Sequence, residues 1–117
     1  MLNIVVLGGV LARPATTTEL PSGTRLVGLE LTVRRGDGPA ESVPVAWFDP
    51  PAWATSLDTG ADLVVLGRVR RRFFRAGGAT QSRTEVVAAK VVRSAARSRV
   101  ASLLSEAAEA IEDAASA

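Results

Sequence analysis

The chain has no cysteine, no histidine and no tyrosine among its 117 residues. Without cysteine it forms no disulfide, thiolate centre or zinc–cysteine site. Without histidine it lacks the commonest general base and metal ligand, and most hydrolase triads are excluded. Glycine loops that cradle nucleotide phosphates are also missing, since Gly8-Gly9 and Gly77-Gly78 are isolated doublets. We therefore expect a protein that is not an enzyme, has no catalytic residues and uses no metal, cofactor or small-molecule substrate.

Long apolar runs are absent as well, because none approaches the roughly 20 residues of a membrane span. The first residues, MLNIVVLGGVL, have no basic leader and do not resemble a signal peptide. A cytoplasmic location is the default expectation, with association to the nucleoid if the protein binds DNA. Hydrophobic residues make up 47% of the chain, which indicates a globular protein with a real core.

Lysine is scarce, because 13 of the 14 basic residues are arginine. The net charge is only +2, but residues 1–99 carry 14 − 8 = +6 and residues 100–117 carry −4. Arginine contacts phosphates bidentately and stacks on bases better than lysine does.

The arginines concentrate in Leu63–Arg75, which begins as an apolar strand and continues as a basic, aromatic one. Side chains alternate between the two faces of a strand. One face then carries a row ending in a phenyl ring, made of Arg68, Arg70, Arg72 and Phe74. The other face carries Val69, Arg71, Phe73 and Arg75. Such a surface suits nucleic acid; the alternative is a solvated hairpin arm whose phenylalanines pack on a neighbour.

Alternation and turn signals predict five strands, at Asn3–Leu11, Arg25–Arg35, Glu41–Phe48, Asp62–Phe74 and Ser82–Arg93. A loop is expected at Ala12–Thr18. A short helix at Ala52–Leu57, with Asp49 as its N-cap, is expected between the third and fourth strands. Glycines near the middles of long strands, such as Gly67, favour bulges and closure into a small barrel. The fold class predicted for residues 1–93 is therefore an all-β, five-stranded OB-fold barrel, a fold that binds oligonucleotides.

Residues 94–117 form a second region, predicted as an amphipathic helix. Its apolar residues recur at helical spacing and form one stripe, made of Val100, Leu103, Leu104, Ala107, Ala108, Ile111 and Ala115. The stripe either packs on the barrel of its own chain or mediates helix-to-helix assembly between subunits. Membrane binding is disfavoured because the polar face is acidic.

Four short segments, taken together, resemble those of bacterial single-stranded DNA-binding proteins. In chain order they are Asn3–Gly8, Pro21–Thr24, Leu66–Arg70 and Thr84–Val87. The resemblance covers about residues 2–93. It implies an OB-fold homo-oligomer. Members of the family are usually tetramers, and a dimer is the alternative here. Such a protein coats single-stranded DNA without sequence preference in replication, repair or recombination.

The family's base-stacking aromatic residues are carried over only in part. Phe48 matches a stacking phenylalanine, and Phe74 matches a tryptophan at the end of the fourth strand. A third platform falls at Ser42 and is lost. A fourth is missing from the hairpin after the second strand, where Arg34 or Arg35 would stack instead. The resemblance and the arginine row together give the candidate nucleic-acid-binding set: Arg34, Arg35, Phe48, Arg68, Arg70, Arg72, Phe74 and Arg75.

Trp47 and Trp53 have no family counterpart; we expect Trp47 in the core and Trp53 closing the barrel end. The family's flexible tail, with its acidic end and terminal phenylalanine, is not matched before Ala117, so recruitment of repair and replication enzymes by that route is not expected.

The alternative function is a diverged OB-fold module for assembly or partner binding, similar to a primosome component, with weak or no DNA binding. An RNA-binding barrel is a further variant.

Overall fold

The computed structural model describes residues 1–116, which form six strands, one 3₁₀ turn and one α-helix. The elements, in chain order, are β1 Val5–Leu11, β2 Thr16–Glu19, β3 Arg25–Val33, β4 Glu41–Phe48, the 3₁₀ turn Ala52–Ser56, β5 Asp62–Ala76, β6 Ala79–Arg93 and α1 Arg97–Ser116. The five predicted strands are all present.

Five of the strands close into a ring in the order β1-β3-β4-β6-β5, with β5 returning to β1. The pairings are antiparallel except for β4 with β6, where Val45 and Ala46 lie beside Val86 and Val87 in parallel. Pro44, which cannot donate a ladder hydrogen bond, directly precedes this pairing, as expected of a residue that interrupts a ladder. This is the OB-fold barrel predicted from the sequence, and the prediction of fold class is confirmed.

The barrel interior is apolar and is lined by the inward side of each alternating strand. Its most buried members are Leu11, Val27, Leu31, Leu57, Leu63 and Val65. Trp47 is buried in this core, and Trp53 packs edge-on against it from the 3₁₀ turn, with ring centroids 5.4 Å apart. Both tryptophans therefore lie where the sequence predicts them.

Two glycines stand where backbones approach most closely. A Cβ at Gly9 would meet the carbonyl oxygen of Thr32 at 2.7 Å, at the point where β1 reaches β3 and closes the ring. At Gly67 a Cβ would overlap the carbonyl of Val87. The β5–β6 register shifts there by one residue, so that Ala89 is an additional residue in β6 and forms a bulge.

Two local predictions are wrong. The last three residues of the predicted loop Ala12–Thr18 are instead part of a strand: Thr16–Glu19 forms β2 and pairs with the start of β3. Asp49 does not cap the short helix; the N-cap position is Pro51, and it has no side-chain cap. Asp49 instead has a φ of 49°, and its Oδ1 accepts a hydrogen bond from the backbone N–H of Arg25 at 3.3 Å. The following proline disfavours right-handed helical backbone at this position, and aspartate tolerates the left-handed region.

The helix α1 packs on the outer side of β5 and β6, through Leu103 and Ala107 against Leu66 and Val92. Among residues 1–116, no helix is both long and apolar enough to cross a membrane. The same residues contain no group of acidic side chains placed to hold a metal ion.

Candidate nucleic-acid interface

Beyond the barrel, β5 and β6 continue as a two-stranded ribbon, residues 70–85, which we call the arm. Gly77 and Gly78 join its strands with φ values of 59° and 80°, as a two-residue type I′ hairpin turn requires. At its base the side-chain amide of Asn3 mimics a neighbouring strand. Its Nδ2 donates to the carbonyl of Val69 at 2.7 Å, and its Oδ1 accepts from the Val69 N–H at 2.9 Å. The arm thus projects from a fixed base.

A buried carboxylate lies at the centre of one face of the arm. Glu85 is only 5% exposed, and its Oε2 accepts hydrogen bonds from Nε and a terminal nitrogen of Arg70, at 2.9 and 2.7 Å. The same oxygen accepts from Nε of Arg72 at 3.2 Å, and its Oε1 lies 3.5 Å from Nε of Arg83. We call these four residues the arginine cluster. Its formal charge is 3 − 1 = +2.

The strand register explains why the carboxylate is needed there. Arg72 lies directly opposite Arg83, and like charges at such a position destabilise a sheet. Glu85, opposite Arg70, lies diagonally from Arg72 and two residues along β6 from Arg83, so it offsets the repulsion. Glu85 and Arg83 are absent from the predicted site. The signal that could have found Glu85 is that it is the single acidic residue between Asp62 and Glu106.

The two predicted stacking rings flank this cluster on the same face. Phe48, the last residue of β4, and Phe74, near the tip of β5, are both half-buried and accessible to solvent. The guanidinium carbon of Arg70 lies 5.2 Å from the ring centroid of Phe48, and that of Arg72 lies 5.2 Å from the ring centroid of Phe74. Each ring therefore has one side covered by a guanidinium in a cation–π contact.

The opposite side of the arm carries a separate group of aromatic and arginine side chains. Phe73 is 66% exposed, and the Arg71 guanidinium lies 5.2 Å from its ring centroid. Arg71 also donates to the hydroxyl of Ser82 at 3.0 Å, and Arg75 donates to the carbonyl of Gly78 at 2.9 Å. Strand alternation thus separates Arg75 from the arginine cluster, although it is a member of the predicted set.

The remaining predicted arginines lie apart from the cluster. Arg68 is exposed at the base of the arm, where it lines a groove together with Glu106 and Ala110 of α1. Arg34 and Arg35 follow β3 at the far end of the β3–β4 hairpin, since Val33 pairs with Glu41 while Leu26 pairs with Phe48. Seven residues of strand separate the two ends, a distance of about 23 Å. The structure therefore brings together Phe48, Arg70, Arg72 and Phe74.

Comparisons with known proteins place this geometry in context. No family model matches the chain, and no curated protein matches its sequence. Among solved structures, the wild-type single-stranded DNA-binding protein of Thermus aquaticus is similar, with a TM-score of 0.66 and 30% identity over 79% of this chain. A deletion variant of the same Thermus protein gives the same values. The chain spans 40% of the length of either structure. The predicted resemblance is confirmed: in fold, and with 30% identity over the matched part, this chain is similar to a bacterial single-stranded DNA-binding protein.

Proposed function

We propose that this chain binds single-stranded DNA without sequence preference and without catalysis. The observation that carries the proposal is the single outward face on which two phenyl rings flank the arginine cluster. Guanidinium groups attract phosphates, and every base has a π-face that can stack on a phenyl ring. The likeness to the Thermus aquaticus protein supports the same function.

In this proposal, DNA binding replaces contacts that the free protein already makes between its arginines and its phenyl rings. Arg70 and Arg72 now lie over the two rings. A base that stacks on a ring either uses its open side or displaces the guanidinium, which costs about 0.5–1 kcal/mol for an exposed cation–π contact. Stacking returns roughly 1–3 kcal/mol per base. The displaced guanidinium is then free to contact a phosphate, so the exchange favours binding.

The full interface would extend from the arm along the outward side of β4 towards Arg34 and Arg35. Trp47 and Val45 point into the core, so the accessible outward residues of β4 on this path include Pro44 and Ser42. Ser42 donates a hydrogen bond to Glu30 on the neighbouring strand. This acidic side chain makes the middle of the path less favourable for phosphates than its ends. Two good stacking platforms and a partly neutralised cluster predict weaker binding than four platforms would give.

We further propose that the protein acts as a cytoplasmic homo-oligomer in DNA replication, repair or recombination. The oligomer and the cellular process come from the family resemblance, and the cytoplasmic location is the default expectation from the sequence. The alternative function, an assembly or partner-binding module, is favoured by one specific observation: Glu85 already neutralises part of the basic face.

A pair of adjacent variants tests the proposed interface. Phe74→Ala removes a ring from the proposed face, and Phe73→Ala makes the same change one residue away on the opposite side. Fluorescence anisotropy with labelled oligo-dT should show that Phe74→Ala weakens binding by about 1–3 kcal/mol, while Phe73→Ala changes it little. Circular dichroism should confirm that both variants fold.

Salt dependence supplies the control for the electrostatic part. Binding should weaken with salt at a log–log slope of about −0.7 per phosphate neutralised on a single strand. An absence of binding at low salt would refute DNA binding and favour the assembly module. A larger loss for Phe73→Ala than for Phe74→Ala would show that the binding face is assigned to the wrong side of the arm, and equal losses would contradict a one-sided interface.

A further inference from the structure

The apolar stripe of α1 is covered along only one edge. Val100, Leu103 and Ala107 pack against the barrel, and Leu103 has no exposed surface. Leu104 and Ile111 remain 50% and 44% exposed. The sequence predicts a single stripe, but consecutive residues of an α-helix lie about 100° apart, so Leu104 cannot share the direction of Leu103.

The exposed residues form a second line along the helix. Leu104, Ala108, Ile111 and Ala115 are spaced i, i+4, i+7 and i+11, the pattern that places side chains on one helix face. Its two large members are separated by one alanine. A small residue at such a position lets another helix approach closely between two leucine-sized side chains.

The charges of α1 run against its own dipole. Its first turn has no acidic residue and carries Arg97 and Arg99, and its last turn has no basic residue. The acids Glu109, Glu112 and Asp113 lie in its second half. The start of a helix favours negative charge and its end favours positive charge, so an isolated α1 is arranged unfavourably at both ends.

An antiparallel second copy of the same helix corrects both ends. It would place Arg97 of each copy beside the last turn of the other, with its acids and its unpaired carbonyl groups. A parallel copy would instead set the arginines of the two chains against each other. A neighbour related by two-fold symmetry must be self-complementary, and the helix has this property because its front is basic and its rear is acidic.

We propose that the exposed line of α1 is the docking surface for α1 of a second copy of this chain, in antiparallel orientation. The two-fold axis passes near Ala108, so that Leu104 of each copy packs against Ile111 of the other. The pairing requires no DNA and uses no residue of the proposed interface. Its failure and the failure of the proposed function are therefore separate results.

Disulfide cross-linking tests the orientation directly, because the chain has no cysteine of its own. Leu104→Cys and Ile111→Cys proteins are prepared separately, mixed without DNA and oxidised. The mixed 104–111 dimer should form fastest. Each variant alone should cross-link slowly, because seven residues of helix, about 10 Å, separate its two cysteines in the pair. Ser22→Cys, in the turn before β3, measures cross-linking by random collision.

A second substitution in the cross-linking pair separates docking from chance proximity. Ala108→Glu puts a charge at the proposed axis and should lower the yield of mixed dimer about tenfold. Ser105→Glu adds the same charge at an exposed position on another side of the helix and should leave the yield nearly unchanged. Mixed cross-linking no faster than the Ser22→Cys background would overturn the proposal. Faster self-cross-linking of Leu104→Cys, or equal effects of the two glutamates, would overturn it too.

Discussion

Replacing Glu85 by glutamine should lower the stability of the protein and raise its affinity for single-stranded DNA. The substitution keeps the size of the side chain and one acceptor oxygen, but it removes the negative charge from the arginine cluster. The formal charge of the cluster rises from +2 to +3. Folding stability and DNA affinity usually decrease together when a substitution disrupts a protein. Here they should change in opposite directions.

The cost to stability follows from the hydrogen bonds of the carboxylate. Glu85 is 5% exposed and accepts three charge-assisted hydrogen bonds, from Arg70 and Arg72, at 2.7–3.2 Å. Such bonds contribute about 1.5–3 kcal/mol each when desolvated. The side chains of Arg70 and Arg72 are 32% and 44% exposed, so water replaces part of what is lost. We expect the free energy of unfolding to fall by roughly 1–2 kcal/mol, because Arg72 and Arg83 also then repel each other.

The gain in binding follows from the guanidinium groups that the change releases. One further phosphate neutralised should steepen the log–log salt slope by about 0.7. The assay is anisotropy with labelled oligo-dT at several salt concentrations, combined with urea unfolding of the same samples. Glu19→Gln, which removes an exposed acid from β2, controls for the change in net charge.

Three results would refute this reasoning. A folded Glu85→Gln protein that binds more weakly would show that Glu85 serves mainly to orient the arginines, rather than to neutralise them. An unchanged salt slope would show that the cluster does not meet phosphates at all. If Glu19→Gln raised affinity equally, the effect would belong to net charge and not to the cluster.

Two predictions concern the packing that holds this face. Gly67→Ala should lower the free energy of unfolding by about 2 kcal/mol or more in urea titrations, because the new methyl group overlaps the Val87 carbonyl and no flexible side chain can yield; a loss below 0.5 kcal/mol would mean that the bulge is not fixed. Leu103→Ala should cost about 2–5 kcal/mol by leaving a cavity under α1, whereas Leu104→Ala, measured in dilute protein, should cost less than 1 kcal/mol; equal losses would contradict the packing of the helix.

Much of the barrel could be predicted because its strands alternate cleanly. β4 has the predicted bounds, and β3 ends two residues before the predicted Arg35. The arm is longer than predicted because its last pairs, Phe74 to Ala76 with Ala79 to Gln81, have no apolar alternation and depend on the Gly77-Gly78 turn. The strand β2 escaped prediction for the same reason, since all four of its residues are exposed.

The composition of the candidate site was less accessible to sequence reasoning. The alternation of β5 correctly groups Arg70, Arg72 and Phe74 on one face. Phe48 was assigned by family resemblance alone, and only the structure shows that it lies beside Arg70 on the same face. The place of Glu85 in the arginine cluster depends on which residues of β6 lie opposite β5. That register is a tertiary property, which the local sequence pattern does not reveal. The stripe of α1 was predicted as one surface because helical spacing alone does not say how much of it a barrel can cover.

The single additional residue Ala89 decides which side of β6 is charged. Val91 points into the barrel, and without a bulge every second residue before it would do the same, including Glu85. The inserted residue reverses this parity, so Val86 points inward and the carboxylate points out. Deletion of this one residue would reverse the facing of β6 from Ala88 back to Ala79, while β5 would keep its own facing. Glu85 and Arg83 would then lie on the side of the apolar core, and Arg70 and Arg72 would be left on the other face without a carboxylate between them.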